Sequence, residues 1–138
     1  MLQHFGFKCN FQRYGYDFVP VDERGAMFQG DAENNEAWFG FGTPVLAAAN
    51  GRVADCFDGM PDNRQFDETE LAAREMVVFG NYVVIDHLNG EYSCFAHLKQ
   101  GTVAVRPGEE IQQGRVIGQI GASGSSLFPH LHYELRNG

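Results

Sequence analysis

A chain of 138 residues, 43% of them hydrophobic and 20% charged, is long enough to bury one core and too apolar to stay disordered. Its 10 basic and 18 acidic residues leave a net charge of −8, which argues against the clustered cationic surface that nucleic-acid binding needs. No apolar run approaches the length of a membrane span, and Met1 to Cys9 lacks the basic and then apolar pattern of a signal peptide. Three cysteines, Cys9, Cys56 and Cys94, form no C-x-x-C pair, so neither a disulfide framework nor a cysteine zinc site is indicated.

The 17 glycines and 12 phenylalanines point to many turns between short strands packed by aromatic rings. In chain order, RYGYDFVPV (13–21) reads as a strand closed by Pro20, and Asp22 to Phe39 as a long polar surface loop. Strands resume at Thr43–Ala49 and Gly51–Phe57, where Asn50-Gly51 favours a tight hairpin turn. Asp67 followed by Glu70 resembles a capping box and predicts a short helix over Asp67–Glu75. NYVVIDH and EYSCFAH flank Leu88-Asn89-Gly90-Glu91, and a type I′ turn there sets Leu88 opposite Glu91 and, counting outward, Tyr82 opposite His97. Cys56 and Cys94 fall in apolar strands and read as core residues. Short β-branched runs between glycines follow, and HLHYEL closes a mostly antiparallel β domain spanning residues 1–138.

On that last strand side chains alternate, so His130, His132 and Glu134 project together while Leu131, Tyr133 and Leu135 face the core. Two imidazoles on one face can serve one centre, one binding a metal and the other reaching a substrate. His97 ends the hairpin in FAHL. Asp17 lies between Tyr16 and Phe18, where a carboxylate is costly unless it is hydrogen-bonded, paired or coordinating a cation. GASGSS (121–126) lacks the Lys-Ser/Thr ending of a phosphate loop and reads as a flexible groove wall. Trp38 and the acidic stretch Asp31–Glu36 are assigned to a solvated face or groove edge.

GYDF (15–18), GTPVLAAANGRV (42–53), GNYVVIDH (80–87), FAHL (95–98), VRPGEEIQQGRVIGQIGASGSS (105–126) and PHLHYEL (129–135) together resemble the lysostaphin-type zinc endopeptidases. The resemblance implies a two-layer antiparallel β-sheet fold of the duplicated hybrid motif type with a groove across one sheet. It implies a zinc ion held by the aspartate of an H-x-x-x-D pattern and the second histidine of H-x-H, here Asp17 and His132. It implies catalytic roles for His97 and His130, and hydrolysis of peptide cross-links in bacterial peptidoglycan in the cell envelope or outside the cell; the chain itself is expected to be a monomer.

One position departs from the pattern. Arg13 stands where H-x-x-x-D wants its histidine, and a guanidinium has no lone pair to give a metal. Either the site has decayed into one that binds peptide or a partner without cutting, or another residue is the third ligand. Of the remaining histidines, His87 lies beside the hairpin turn and is expected at the surface. His4 is thirteen residues ahead of Asp17, and the intervening glycines let the chain fold back, so His4 is the leading replacement and Cys9 a remoter one. A lipoyl- or biotinyl-type domain shares turns like GEEIQQGRVIGQIG but leaves Asp17 and H-x-H unexplained.

Overall fold

The computed structural model describes residues 15–64 and 78–137, with the backbone of residues 2–4 and 7–9. The strands are β1 (Leu2–His4), β2 (Phe7–Cys9), β3 (Gly15–Phe18), β4 (Pro44–Leu46), β5 (Gly51–Phe57), β6 (Asn81–Asp86), β7 (Glu91–Leu98), β8 (Glu110–Ile111), β9 (Val116–Gln119) and β10 (Leu131–Asn137). The architecture is mostly β, as expected. A six-stranded sheet in the order β3-β10-β7-β6-β5-β8 is fully antiparallel, and the β4–β9 pair forms a second, smaller sheet. The predicted helix over Asp67–Glu75 lies outside the described residues.

Period-two alternation decides what each face of the large sheet buries. Val83, Ile85 and Phe95 point with Leu131 and Tyr133 into a core that Val45 of β4 and Ile117 of β9 complete. The opposite face carries a smaller cluster of Phe79, Tyr82, Val84, Cys94 and Ala96. Cys94 is fully buried and Cys56 partly so, in keeping with core roles.

Two local expectations give way. Asn50-Gly51 does not join a hairpin, because β4 pairs with β9 while β5 pairs with β6 and β8. The strands on either side of that pair of residues belong to different sheets. The β6–β7 turn is also not a two-residue turn: His87 N–H donates to Glu91 O at 3.0 Å around Leu88, Asn89 and Gly90. Leu88 and Gly90 both have positive φ, 61° and 90°, and Asp86 and Asn89 carboxyl and amide oxygens accept from the turn's backbone. The ladder therefore runs Asp86↔Tyr92 to Val83↔Phe95, one residue off the expected register, until a bulge returns it to Asn81↔Leu98. Tyr82 faces Ala96 and His97 together.

Candidate active site

That bulge aims a catalytic candidate. Two residues against one kinks β7 at its end, and His97 takes a φ of 62°, a conformation costing a non-glycine residue about 1–3 kcal/mol. The neighbouring loop makes it hold. His97 Nδ1 donates to Ser123 O at 2.8 Å, and Gly121 N–H donates to His97 O at 3.0 Å. Ser123 is itself clamped, its hydroxyl donating to Leu98 O at 2.7 Å and accepting from Asn81 N–H at 3.0 Å. Gly80, at φ 64°, lies so close to Ser123 and Gly124 that a Cβ there would collide with both. GASGSS is thus a buried, hydrogen-bonded strap rather than a flexible wall: Ala122 and Ser123 are fully buried.

β10 supplies the other histidines. Its register places His132 between Ala96 on β7 and Asp17 on β3 in one row across three strands. Asp17 Oδ1 lies 2.8 Å from His132 Nδ1 and 3.5 Å from His130 Nε2. The Asp17 side chain is 60% exposed, and the carboxylate is paired, one of the arrangements that its apolar neighbours called for. β3 is an edge strand whose Tyr16 and Phe18 are also open to solvent.

His97, His130, His132 and Asp17 line one cavity of about 350 Å³ with Phe79, Leu127 and Phe128 among its walls. The ring centroids of His97 and His130 are 4.9 Å apart, and those of His97 and His132 6.0 Å. A larger cleft of about 820 Å³ at the β6–β7 turn contains one histidine, His87. Both His87 nitrogens are engaged there, with Asn50 O at 2.7 Å and Ser93 Oγ at 2.8 Å, so His87 ties two loops together rather than merely facing solvent.

The three site histidines fall into two classes by what holds their second nitrogen. His97 Nδ1 donates to Ser123 O and His130 Nδ1 to Phe128 O, each at 2.8 Å. A carbonyl can only accept, so both rings, when neutral, carry the proton on Nδ1 and offer the Nε2 lone pair. His132 instead has Nε2 at 2.9 Å from the Glu134 carboxylate, whose side chain is 0% exposed, and Nδ1 at Asp17. Electrostatics follow the same division. Burial, and then repulsion from His130, holds His97 down at about 3, so it stays neutral. Burial also pulls His132 down, but hydrogen bonds that its ring donates to Glu134 and Asp17, and their charges, outweigh it and raise its pKa.

The donor chemistry of that pair, a carboxylate and an imidazole backed by a second carboxylate, suits zinc. Two ligands are one fewer than a catalytic zinc takes, and among the described residues no three metal-binding side chains meet. The side chains of His4, Cys9 and Arg13 lie outside the described residues. β1 pairs with β2, and in the described ladders neither strand pairs with β3.

Several contributors were not assigned from sequence. Trp38 is buried rather than at a solvated edge. It stacks between Phe28 and Phe128 at centroid distances of 4.8 and 5.1 Å, and Phe128 packs on His130 at 5.1 Å. Ser126 donates to Phe128 O and sits 3.1 Å from His130 Nδ1. No motif announces either residue. Glu134 was placed on the correct face, and its distance of two residues from His132 was the available signal.

Comparison with known proteins bears on the family and the fold. Peptidoglycan DD-endopeptidase ShyC of Vibrio cholerae is 35% identical over 93 residues, which is 67% of this chain and 17% of ShyC. Cell division protein DipM of Caulobacter vibrioides is 33% identical over 95 residues, 69% of this chain and 13% of DipM. This chain thus spans less than a fifth of either relative. The structure of LytU superposes with a TM-score of 0.57 at 22% identity over 91% of this chain and 62% of that one. The M23 protein EnpA from Enterococcus faecalis superposes with a TM-score of 0.51 at 23% identity over 88% of each, and these two likenesses bear on fold alone. The model of Peptidase family M23 matches residues 38–138, across β4 to β10 and all three site histidines, and the chain belongs to that family.

Proposed function

We propose that the chain is a zinc-dependent endopeptidase that hydrolyses peptide bonds of bacterial peptidoglycan, with Asp17 and His132 as metal ligands and His97 and His130 as catalytic residues. The observation that carries this reading is the division of the histidines: of the three, His132 alone has a ring nitrogen against the buried carboxylate of Glu134, and a carboxylate is the usual partner of a ligating imidazole. Names of relatives such as ShyC support the substrate class. Bound zinc would polarise the scissile carbonyl and make a water acidic enough to attack at neutral pH.

His97, whose free lone pair is on Nε2, is the residue assigned to take a proton from that water. His130 Nε2 lies on the Asp17 side of the cavity and, once protonated, can donate to the carbonyl oxygen or the departing amine. Phe79, Leu127 and Phe128 give the cavity apolar walls that limit competing water. His4 is assigned as the third ligand, because Arg13 has no lone pair to offer.

A second reading, peptide binding without cleavage, is favoured by Arg13 at the usual ligand position and by the two-donor set among the described residues. Purified protein dialysed against buffer and then incubated with peptidoglycan separates the two. The proposal expects one zinc per chain and release of new amino groups, both lost in H132A. A protein that binds peptidoglycan, holds no zinc and releases nothing would overturn it in favour of the second reading.

A further inference from the structure

Resting on the assignment of His132 as a ligand, we infer that Glu134 is a positioning residue that selects which His132 nitrogen is offered to the metal. Both nitrogens of His132 lie against carboxylates, Nδ1 at 2.8 Å from Asp17 and Nε2 at 2.9 Å from Glu134. A neutral imidazole has one N–H and can satisfy one of them. The other nitrogen then presents a lone pair to a carboxylate oxygen, an unfavourable contact that a cation between them removes.

The environments of the two carboxylates decide the competition. Asp17 is 60% exposed, so water can solvate any oxygen that the imidazole leaves without a donor. Glu134 is 0% exposed, and each acceptor position left empty there carries the full desolvation penalty. The N–H therefore goes to Glu134, and the Nδ1 lone pair faces Asp17. Phe79 stacked 6.4 Å from the His132 ring, and the pairing of β10 between β3 and β7, hinder the ring flip that would exchange the nitrogens. In this arrangement Glu134 touches neither substrate nor metal and acts through His132.

The test compares E134Q, E134L and H132A with the wild-type chain. Zinc affinity is read by competition with a chelator, and the His132 tautomer by nitrogen NMR of the metal-free protein at alkaline pH. The wild type should carry the proton on Nε2. E134Q, whose amide oxygen can still accept, should stay within a few-fold of wild-type affinity. E134L should move the proton to Nδ1, toward Asp17, and bind zinc about 10–100-fold more weakly. An Nδ1–H tautomer in the wild type overturns the inference without any variant, so it remains decidable if E134L fails to fold. Unchanged affinity in E134L, with zinc lost in H132A, would sink the role of Glu134 and leave the ligand assignment standing. Zinc retained by H132A would instead remove the reading on which the inference rests.

Discussion

Asp17 Oδ1 and His132 Nδ1, 115 residues apart in the chain, meet at 2.8 Å because β3 and β10 are hydrogen-bonded neighbours with these two residues in register. The pairing brings a carboxylate from an exposed edge strand against an imidazole that β7 and Glu134 hold from the other side. His97 and His130 approach the same point from elements whose carbonyls fix their tautomers.

Removing either member of the pair should therefore differ from removing either neighbour. D17A and H132A are expected to lose stoichiometric zinc on dialysis. H97A and H130A should keep the metal while hydrolysis falls by at least about a hundredfold, the scale of a general acid–base group. Metal analysis alongside an amine-release assay checks this, and equal metal loss in all four variants would show the division of roles to be wrong.

The third ligand is tested by H4A. Arg13 cannot coordinate, so a complete site needs a donor from elsewhere. Zinc affinity should fall by orders of magnitude if His4 supplies it. An unchanged affinity would exclude His4, and a parallel C9S variant would then examine the remaining candidate.

His97 gives the metal-free fold a specific response to acid. Its native pKa of about 3 lies below the ordinary value of 6.5, so the unfolded chain binds a proton that the native state refuses. Stability contributed by the neutral ring is present above 6.5 and is lost progressively as pH falls toward about 3. His132 has the opposite sign: its raised pKa adds stability that is full below 6.5 and disappears as pH rises through the native value. Urea unfolding of wild type and H97N in chelator isolates the first effect. The stability of the wild type relative to the variant should decline from pH 7 to pH 4, and a constant difference would contradict it.

Trp38 links the 22–41 loop to the site through Phe128 and His130. W38A should cost about 3 kcal/mol of stability, the low end for truncating a buried aromatic residue. It should also lower turnover more than it raises KM, because it loosens a catalytic residue rather than a substrate contact. W38F should recover most of both. A W38A protein with wild-type unfolding midpoint and turnover would show the stack to be incidental.

Residue pattern alone determined the β class, the hairpin pairing of β6 with β7, and the shared face of His130, His132 and Glu134. Each of these depends on period-two alternation or on turn residues close in the chain, and at these positions the packing agrees with the short-range rules. Motif resemblance added Asp17 and His97 to the set before any contact was visible. Tertiary structure decided what those rules do not reach. Asn50-Gly51 favours a hairpin locally, yet β4 and β5 separate into two sheets because their backbones pair with different strands, β4 with β9 and β5 with β6 and β8. The turn at Leu88-Asn89-Gly90 shifts the β6–β7 register by one, and the bulge between Asn81 and Val83 shifts it back to Asn81↔Leu98. The exposure of Asp17, the burial of Trp38 and the clamping of GASGSS are likewise set by neighbours far away in sequence. Burial and long-range hydrogen bonding are properties of the assembled sheets, and no local run of residues encodes them.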